Sequence, residues 1–243
     1  MDLKHRPSKV VISGNSGSGK STFGTAVLLN SPQTYKFVFD WEGELRERIG
    51  FAAARDPDGL TKQLQQGWII FDPDEMFPEE MEDSLAEGLD WFCGWVFNVK
   101  KAINAEAKEK GLPFPTALFY CDEVQEICDA HTMPRGLRTI LERGRRQGID
   151  SMIVTQQPNI IHNRVRNQLT EVVAFSQVDE NAVRFFEDLG LDGDDIRGLA
   201  EGQWRLLNRR ARIFQWGSIA WPKGKIIVEG TKAFGGSSDN LPA

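Results

Sequence analysis

Short apolar runs alternate along this chain with longer stretches in which apolar residues recur about every 3.6 positions. Lys9–Ser13 (KVVIS) is apolar and runs into glycines, which predicts a buried strand. A helix is expected from about Lys20 to Asn30, stopped near Ser31 and Pro32. Tyr35–Phe39 (YKFVF) predicts a second strand with Asp40 at its carboxyl end, and Trp68–Phe71 (WIIF) a third, closed by Asp72 and Pro73. Residues 79–110 predict one long helix. Its Met81, Leu85, Leu89, Phe92, Val96, Val99 and Ile103 recur at spacings of four and three, and Gly111 fits its C-cap. Trp91 and Trp95 fall on a neighbouring face, where they fit either core packing or a subunit contact. Thr116–Cys121 (TALFYC) predicts a strand that delivers Asp122 and Glu123. A helix over about Pro134–Arg146, strands at Ser151–Val154 and Val172–Phe175, and a hairpin from Gln203–Leu207 and Arg212–Trp216 complete the set.

Strands that are apolar on both sides and alternate with helices predict an α/β fold, a mainly parallel sheet flanked by helices on both faces. Ligands of such sheets bind beyond the carboxyl ends of the strands. Three predicted strands end in polar or glycine-rich segments, Gly14–Ser21, Asp122–Glu123 and Thr155–Gln157, which could converge on one edge. A single domain is expected over residues 1–234, with 235–243 a disordered polar tail.

Composition adds limits. At 243 residues, 40% hydrophobic and 26% charged, the chain is ordinary for a soluble globular protein with a sizeable core. A net charge of −6 excludes coating nucleic acid by bulk electrostatics, while leaving room for a few basic loops. The three cysteines, Cys93, Cys121 and Cys128, have no metal-ligand spacing and suit buried thiols in a reducing compartment. The N-terminus lacks an apolar leader core, and no run of 18 apolar residues predicts a membrane span. His5, His131 and His162 show no ligand spacing and are expected on surface loops.

Gly14-Asn15-Ser16-Gly17-Ser18-Gly19-Lys20-Ser21 fits G-x-x-x-x-G-K-[ST], the phosphate-binding P-loop. It also lies between a predicted strand and a predicted helix, as the motif requires. Glycines let the backbone curl so that successive N–H groups face phosphate oxygens, and the helix presents its N-terminus to the same anion. Lys20 is placed for the β- and γ-phosphates of ATP and the Ser21 hydroxyl for Mg²⁺, with Thr22 beside it. Asp122, at another strand end, would hold Mg²⁺ through water. Glu123 would orient or deprotonate the attacking water, so the pair favours hydrolysis over phosphate transfer. Gln156 follows a third strand, where an amide fits either a γ-phosphate contact or a turn. Arg143-Gly144-Arg145-Arg146 fits helix-dipole compensation, or an arginine given in trans to a neighbour's γ-phosphate, with Arg145 the first candidate.

Leu141–Asn163 (LERGRRQGIDSMIVTQQPNIIHN) resembles the FtsK–HerA superfamily of DNA-pumping ATPases. That family's G-R-x-x-G and T-Q-x-P segments match Gly144, Arg145, Gly148, Thr155, Gln156 and Pro158. Phe39-Asp40-Trp41-Glu42-Gly43-Glu44 is similar to the end of its second strand. Val172–Gly190, with Asp179 and Arg184, is similar to its strand and helix after the sensor. The resemblance spans residues 8–210. It implies a RecA/FtsK–HerA-like P-loop NTPase in a homo-oligomeric ring, usually a hexamer, with the active site between subunits and double-stranded DNA in the centre. A bare motor of this size resembles the genome-packaging ATPases of tailless, membrane-containing double-jelly-roll phages and viruses. That implies work in the host cytoplasm or at the virion's packaging vertex, with capsid vertex proteins as partners. Candidate DNA contacts are Lys100, Lys101, Lys108, Lys110, Arg164–Arg166 and the cluster Arg205, Arg209, Arg210 and Arg212. Three other readings compete: a cellular or plasmid DNA-transfer ATPase of the same superfamily, a small-molecule P-loop kinase, and a vertex protein that binds ATP without turnover. No N-K-x-D segment reads guanine here.

Overall fold

The computed structural model describes residues 6–78, 83–128, 132–161, 163–221 and 223–234. Six strands pair in parallel: β1 (Lys9–Ser13), β2 (Tyr35–Phe39), β3 (Trp68–Phe71), β4 (Ala117–Cys121), β5 (Ile149–Thr155) and β6 (Glu171–Ala174). Strands β7 (Gln203–Asn208), β8 (Ile213–Ala220) and β9 (Lys225–Ala233) continue antiparallel beyond β6. The nine-stranded order is β3-β2-β4-β5-β1-β6-β7-β8-β9.

Successive side chains of a strand point to opposite faces, and here both faces are buried. Phe37, Phe39, Ile69, Phe71, Phe119 and Cys121 enter one core, while Val38, Ile70, Leu118 and Tyr120 enter the other. Helices α1 (Lys20–Asn30) and α2 (Glu44–Ile49) cover the second core through Phe23, Leu28 and Leu45. The first core takes Leu60 of α3 (Pro57–Gln63), Leu89, Phe92 and Val96 of α4 (Ser84–Glu109), and Leu137 and Ile140 of α5 (Arg135–Arg143). Val165 of α6 (Asn163–Arg166), Phe185 and Phe186 of α7 (Glu180–Glu187) and Ile196 of α8 (Gly193–Gly198) complete it. Trp91 packs tilted against Phe71 at 5.3 Å and Trp95 stacks on Phe92 at 6.2 Å, so both half-buried rings serve the core.

Several sequence expectations are corrected. The segment Pro134–Arg146 divides into α5 and a tight 3-10 turn over Gly144–Gln147. The C-terminal hairpin is three strands, β9 having escaped the hydrophobic pattern because nearly all of it is exposed. The long helix is described from Ser84, so Met81 lies outside the described residues, as do His5, His131, His162 and the tail 235–243. Lys100 is fully buried in α4, donating to Asn104 Oδ1 at 3.0 Å and to the Pro115 carbonyl at 2.5 Å. It therefore cannot meet DNA. The three cysteines are buried and unbridged. No helix among the described residues is long and apolar enough to cross a membrane.

Candidate active site

The carboxyl ends of β4, β5 and β1 are adjacent in the order β4-β5-β1 and point the same way. Register alone therefore brings the Gly14 loop, Asp122–Glu123 and Thr155–Gln156 to one edge. The loop folds as its glycines require. Gly17 (φ 72°) and Gly19 (φ 105°) lie in the left-handed region, and a Cβ on Gly14 would collide with Phe175. Asn15 N–H donates to the Ser176 carbonyl at 2.8 Å, tying the loop to the end of β6. The Asn15 carbonyl accepts from Ser18 N–H at 3.2 Å and from the Lys20 ammonium at 3.1 Å. Ser16 and Gly17 are exposed at the tip.

Helix α1 starts at Lys20 with Gly19 as its N-cap, no side chain caps it and no acid lies in its first turn. Its leading N–H groups and positive dipole end are thus left for an external anion. The Ser18 Oγ is buried without a hydrogen-bond partner. Lys20 is buried, and burial pushes its amine down while the carboxylates of Glu123 and Asp122 oppose that. A buried cation beside an orphaned hydroxyl and free helix amides fits a polyphosphate.

Asp122 meets Ser21 directly, the Ser21 hydroxyl bonding its carboxylate. It also accepts from Glu123 N–H at 2.8 Å and from Tyr120 Oη at 3.0 Å. Burial pushes the Asp122 carboxyl up, as does the charge of Glu123, while these three hydrogen bonds hold it down. Tyr120 reaches it beneath α1 because Gly24 has no side chain, a Cβ there falling 2.9 Å from Tyr120 Oη. Glu42, beyond β2, lies in the same field: burial pushes its carboxyl up first, then the charges of Glu123, Glu44, Asp122 and Glu126. Among the described residues no three His, Cys, Asp or Glu side chains gather as an all-protein metal cage. Ser21 and Asp122 alone suit Mg²⁺, which keeps most of its sphere for phosphate and water.

Glu123 has φ 45°, a left-handed conformation uncommon outside glycine, which turns the chain sharply after β4. Two glutamines hold it: Gln156, which the sequence singled out, and Gln125, which it did not. Gln125 donates through Nε2 to Glu123 Oε2, and its Oε1 accepts from Thr155 Oγ1 at 2.8 Å and from Gln156 N–H at 3.1 Å. Gln156 donates to both Glu123 carboxylate oxygens at 3.3 Å. Gln177, buried beyond β6, donates to the Gln156 carbonyl at 2.7 Å and to Ser13 Oγ at 3.2 Å. Gln125 and Gln177 are polar and unpatterned in sequence, and only strand order gives them these partners.

Arg145 is not part of this constellation in its own chain. It is exposed on the 3-10 turn before β5, and its charge acts on Lys9 at the start of β1. That is the opposite sheet edge, a strand length of about 15–20 Å from Lys20 at ~3.3 Å per residue. Asn104 fixes this turn by donating to the Gln147 carbonyl and to its Oε1, both at 3.0 Å. Most of the other candidate cations are engaged. Arg166 pairs with Asp188 at 2.5 Å, Arg205 with Asp195 at 2.6 Å, and Arg209 and Arg210 donate to backbone carbonyls. Lys110 pairs with Glu106, while Lys101 and Lys108 are exposed.

A glycine loop between β1 and α1, with two acids one strand beyond its neighbour, defines the fold of a P-loop NTPase. No family model and no curated protein matches the chain. Solved structures do. The genome packaging NTPase B204 from Sulfolobus turreted icosahedral virus 2, in complex with sulfate, matches with TM-score 0.61 and 14% identity over 87% of this chain and 96% of that one. VirB4 of Thermoanaerobacter pseudethanolicus matches with TM-score 0.58 and 11% identity over 84% of this chain and 87% of its own. ATPases 2 and 3 of EssC from Geobacillus thermodenitrificans give 0.54 and 14%, over 84% of this chain and 38% of that one. At 11–14% identity these likenesses show the fold, a mostly parallel nine-stranded sheet with helices as in other P-loop NTPases.

Proposed function

We propose that this chain is an ATP-driven double-stranded DNA translocase that packages a viral genome into a preformed capsid. The observation that carries the reading is the meeting of Lys20, Ser21, Asp122, Glu123 and Gln156 at one sheet edge. The likeness to a genome packaging NTPase directs it toward packaging. Likeness to VirB4 and EssC keeps a cellular DNA-transfer ATPase as the second reading.

In this reading Lys20 and the amides of Gly14–Ser21 hold the phosphates, and Ser21 with Asp122 holds Mg²⁺, which supplies charge neutralisation when bound. Glu123 accepts the proton of the attacking water as the terminal phosphorus–oxygen bond breaks, giving ADP and phosphate. Gln156 and Gln125 fix the Glu123 carboxylate, and Gln156 senses the γ-phosphate. Arg145 lies on the far edge of its own sheet, so it serves a neighbour. A head-to-tail contact in a closed ring, here a hexamer, brings the two edges together.

Phosphate release by the purified protein, with and without linear double-stranded DNA at two salt concentrations, tests the reading. Stimulation by DNA that fades with salt is expected. Turnover abolished by Glu123→Gln but indifferent to DNA in assembled rings would leave the ATPase and remove the translocase. Phosphotransfer to a metabolite in place of phosphate release would remove both.

A further inference from the structure

The antiparallel strands β7–β9 return to the phosphate edge at one turn. Gly202, just before β7, donates to the Ser18 carbonyl at 3.0 Å, and its own carbonyl accepts from Ile219 N–H at 2.9 Å. Ile219 Cδ1 lies 2.9 Å from where a Cβ on Gly19 would stand. Gly224, in the β8–β9 turn just before β9, abuts Thr22, with 2.9 Å between its Cβ position and Thr22 Cγ2. The end of β8 is therefore tied to the phosphate loop and the start of β9 to the first turn of α1.

Between these two ties stands Trp221, 52% exposed, its Nε1 3.1 Å from the Cβ position of Gly202. A lone exposed apolar residue needs no explanation, but its placement is selective. Of the other exposed aromatics, Phe51 stacks at 5.0 Å on Trp68 at the start of β3, Phe114 precedes β4, and Phe234 follows β9. All three belong to the opposite edge. Among the described residues Trp221 is thus the exposed aromatic ring at the edge where Lys20, the orphaned Ser18 hydroxyl and the uncapped α1 amides await an anion.

We propose that Trp221 is the stacking platform for the nucleobase of the nucleotide whose phosphates the Gly14–Ser21 loop holds. The inference rests on the phosphate-site reading above and adds the recognition of the other end of the substrate. The phosphates fix one end in the loop. In this inference the sugar and base run past Thr22 to the exposed Trp221 ring. A bare π-face reads stacking area and not hydrogen bonds, so the platform accepts adenine and guanine alike and holds pyrimidines less well.

Calorimetric titration of the full chain with ATP, GTP, CTP and inorganic tripolyphosphate tests this, for the wild type, Trp221→Ala and Trp221→Phe. ATP and GTP are expected to bind about equally and more tightly than CTP or tripolyphosphate. Trp221→Ala should weaken ATP by about 5- to 150-fold, the range that one base–aromatic stack supplies, and Trp221→Phe should restore most of it. Tripolyphosphate affinity should stay unchanged in both variants, which a merely structural role for the ring would not allow. Equal loss of ATP and tripolyphosphate in Trp221→Ala, or no loss of ATP, overturns the inference. Wild-type binding of tripolyphosphate as tight as ATP overturns it while leaving the phosphate loop intact. Wild-type binding of neither would refute the loop reading itself.

Discussion

Lys100 offers the sharpest test of the packing, because a charge fully enclosed beside α4 must show itself in the pH dependence of stability. Burial lowers its pKa from 10.5 to about 8. The ammonium donates to Asn104 Oδ1 and the Pro115 carbonyl and lies 6.0 Å from the centre of the Tyr35 ring. Between the folded and unfolded pKa values the unfolded chain holds a proton that the folded chain has released. Stability therefore rises with pH in that window. At ~1.4 kcal/mol per pH unit of difference, Lys100 alone contributes a gain of about 2–3 kcal/mol from pH 7 to pH 10. Lys100→Met keeps the apolar stem and removes the titration. At pH 7 two effects of the variant oppose each other: relief from burying a charge, and loss of partners for two acceptors at about 1–3 kcal/mol each. Their near balance makes the absolute difference at one pH uninformative. Urea unfolding of both proteins at pH 7, 8, 9 and 10 isolates the lysine, since Tyr120, Cys93 and Cys121, whose pKa values burial raises, are common to both. The wild type should gain on the variant by those 2–3 kcal/mol. A difference that stays flat, or that falls, refutes the reasoning, since the ammonium would then be solvated or net stabilised by its partners.

Gln125→Leu removes the clamp on Glu123 and the acceptor for Thr155 Oγ1 and Gln156 N–H; ATP affinity should hold while kcat falls at least about tenfold, within the range that a positioned general base supplies. Calorimetry and steady-state phosphate release separate the two, and a loss of affinity with kcat unchanged would contradict the role. Arg145→Ala should keep ATP binding and lose turnover by on the order of 10³-fold. Mixing it with equally inactive Lys20→Ala subunits should restore turnover, because a neighbour's Arg145 then meets an intact loop; no recovery in mixed assemblies shifts the role to Arg143 or Arg146, or removes it.

What the sequence made legible divides by the distance over which each signal acts. The Gly14–Ser21 loop needs only eight adjacent residues, and the strand carrying Asp122 and Glu123 announces itself by five apolar side chains buried on both faces. Long-range signals are weaker. β9 pairs only with β8 at the sheet margin, so its side chains are mostly wet and its pattern lacks an apolar face. Helices α2, α6 and α8 are six residues or fewer, too short to show a period. Lys100 shows the same limit within one helix. The expected stripe of α4 drifted from Val96 to Val99 and Ile103, whereas the buried line runs Val96, Lys100, Asn104, Ala107. A lysine four residues past a buried valine was the available signal, and it was masked because neighbouring apolar residues offered a more conventional face.

The same distinction orders the site. Lys20, Ser21, Asp122 and Glu123 follow from local motifs, but Gln125 and Gln177 acquire partners only once β4, β5, β1 and β6 lie side by side. Arg145 is the converse, a residue legible in sequence that the fold carries to the far edge. There its turn is tied at Gln147 by the buried Asn104, which also accepts from the buried Lys100. A surface arginine serving only as counter-charge to a helix end would need no such buried support. Two polar side chains desolvated beneath one exposed turn are a cost that stability alone does not require. In the ring proposed above, that support would set the height at which the turn presents Arg145 to a neighbouring copy.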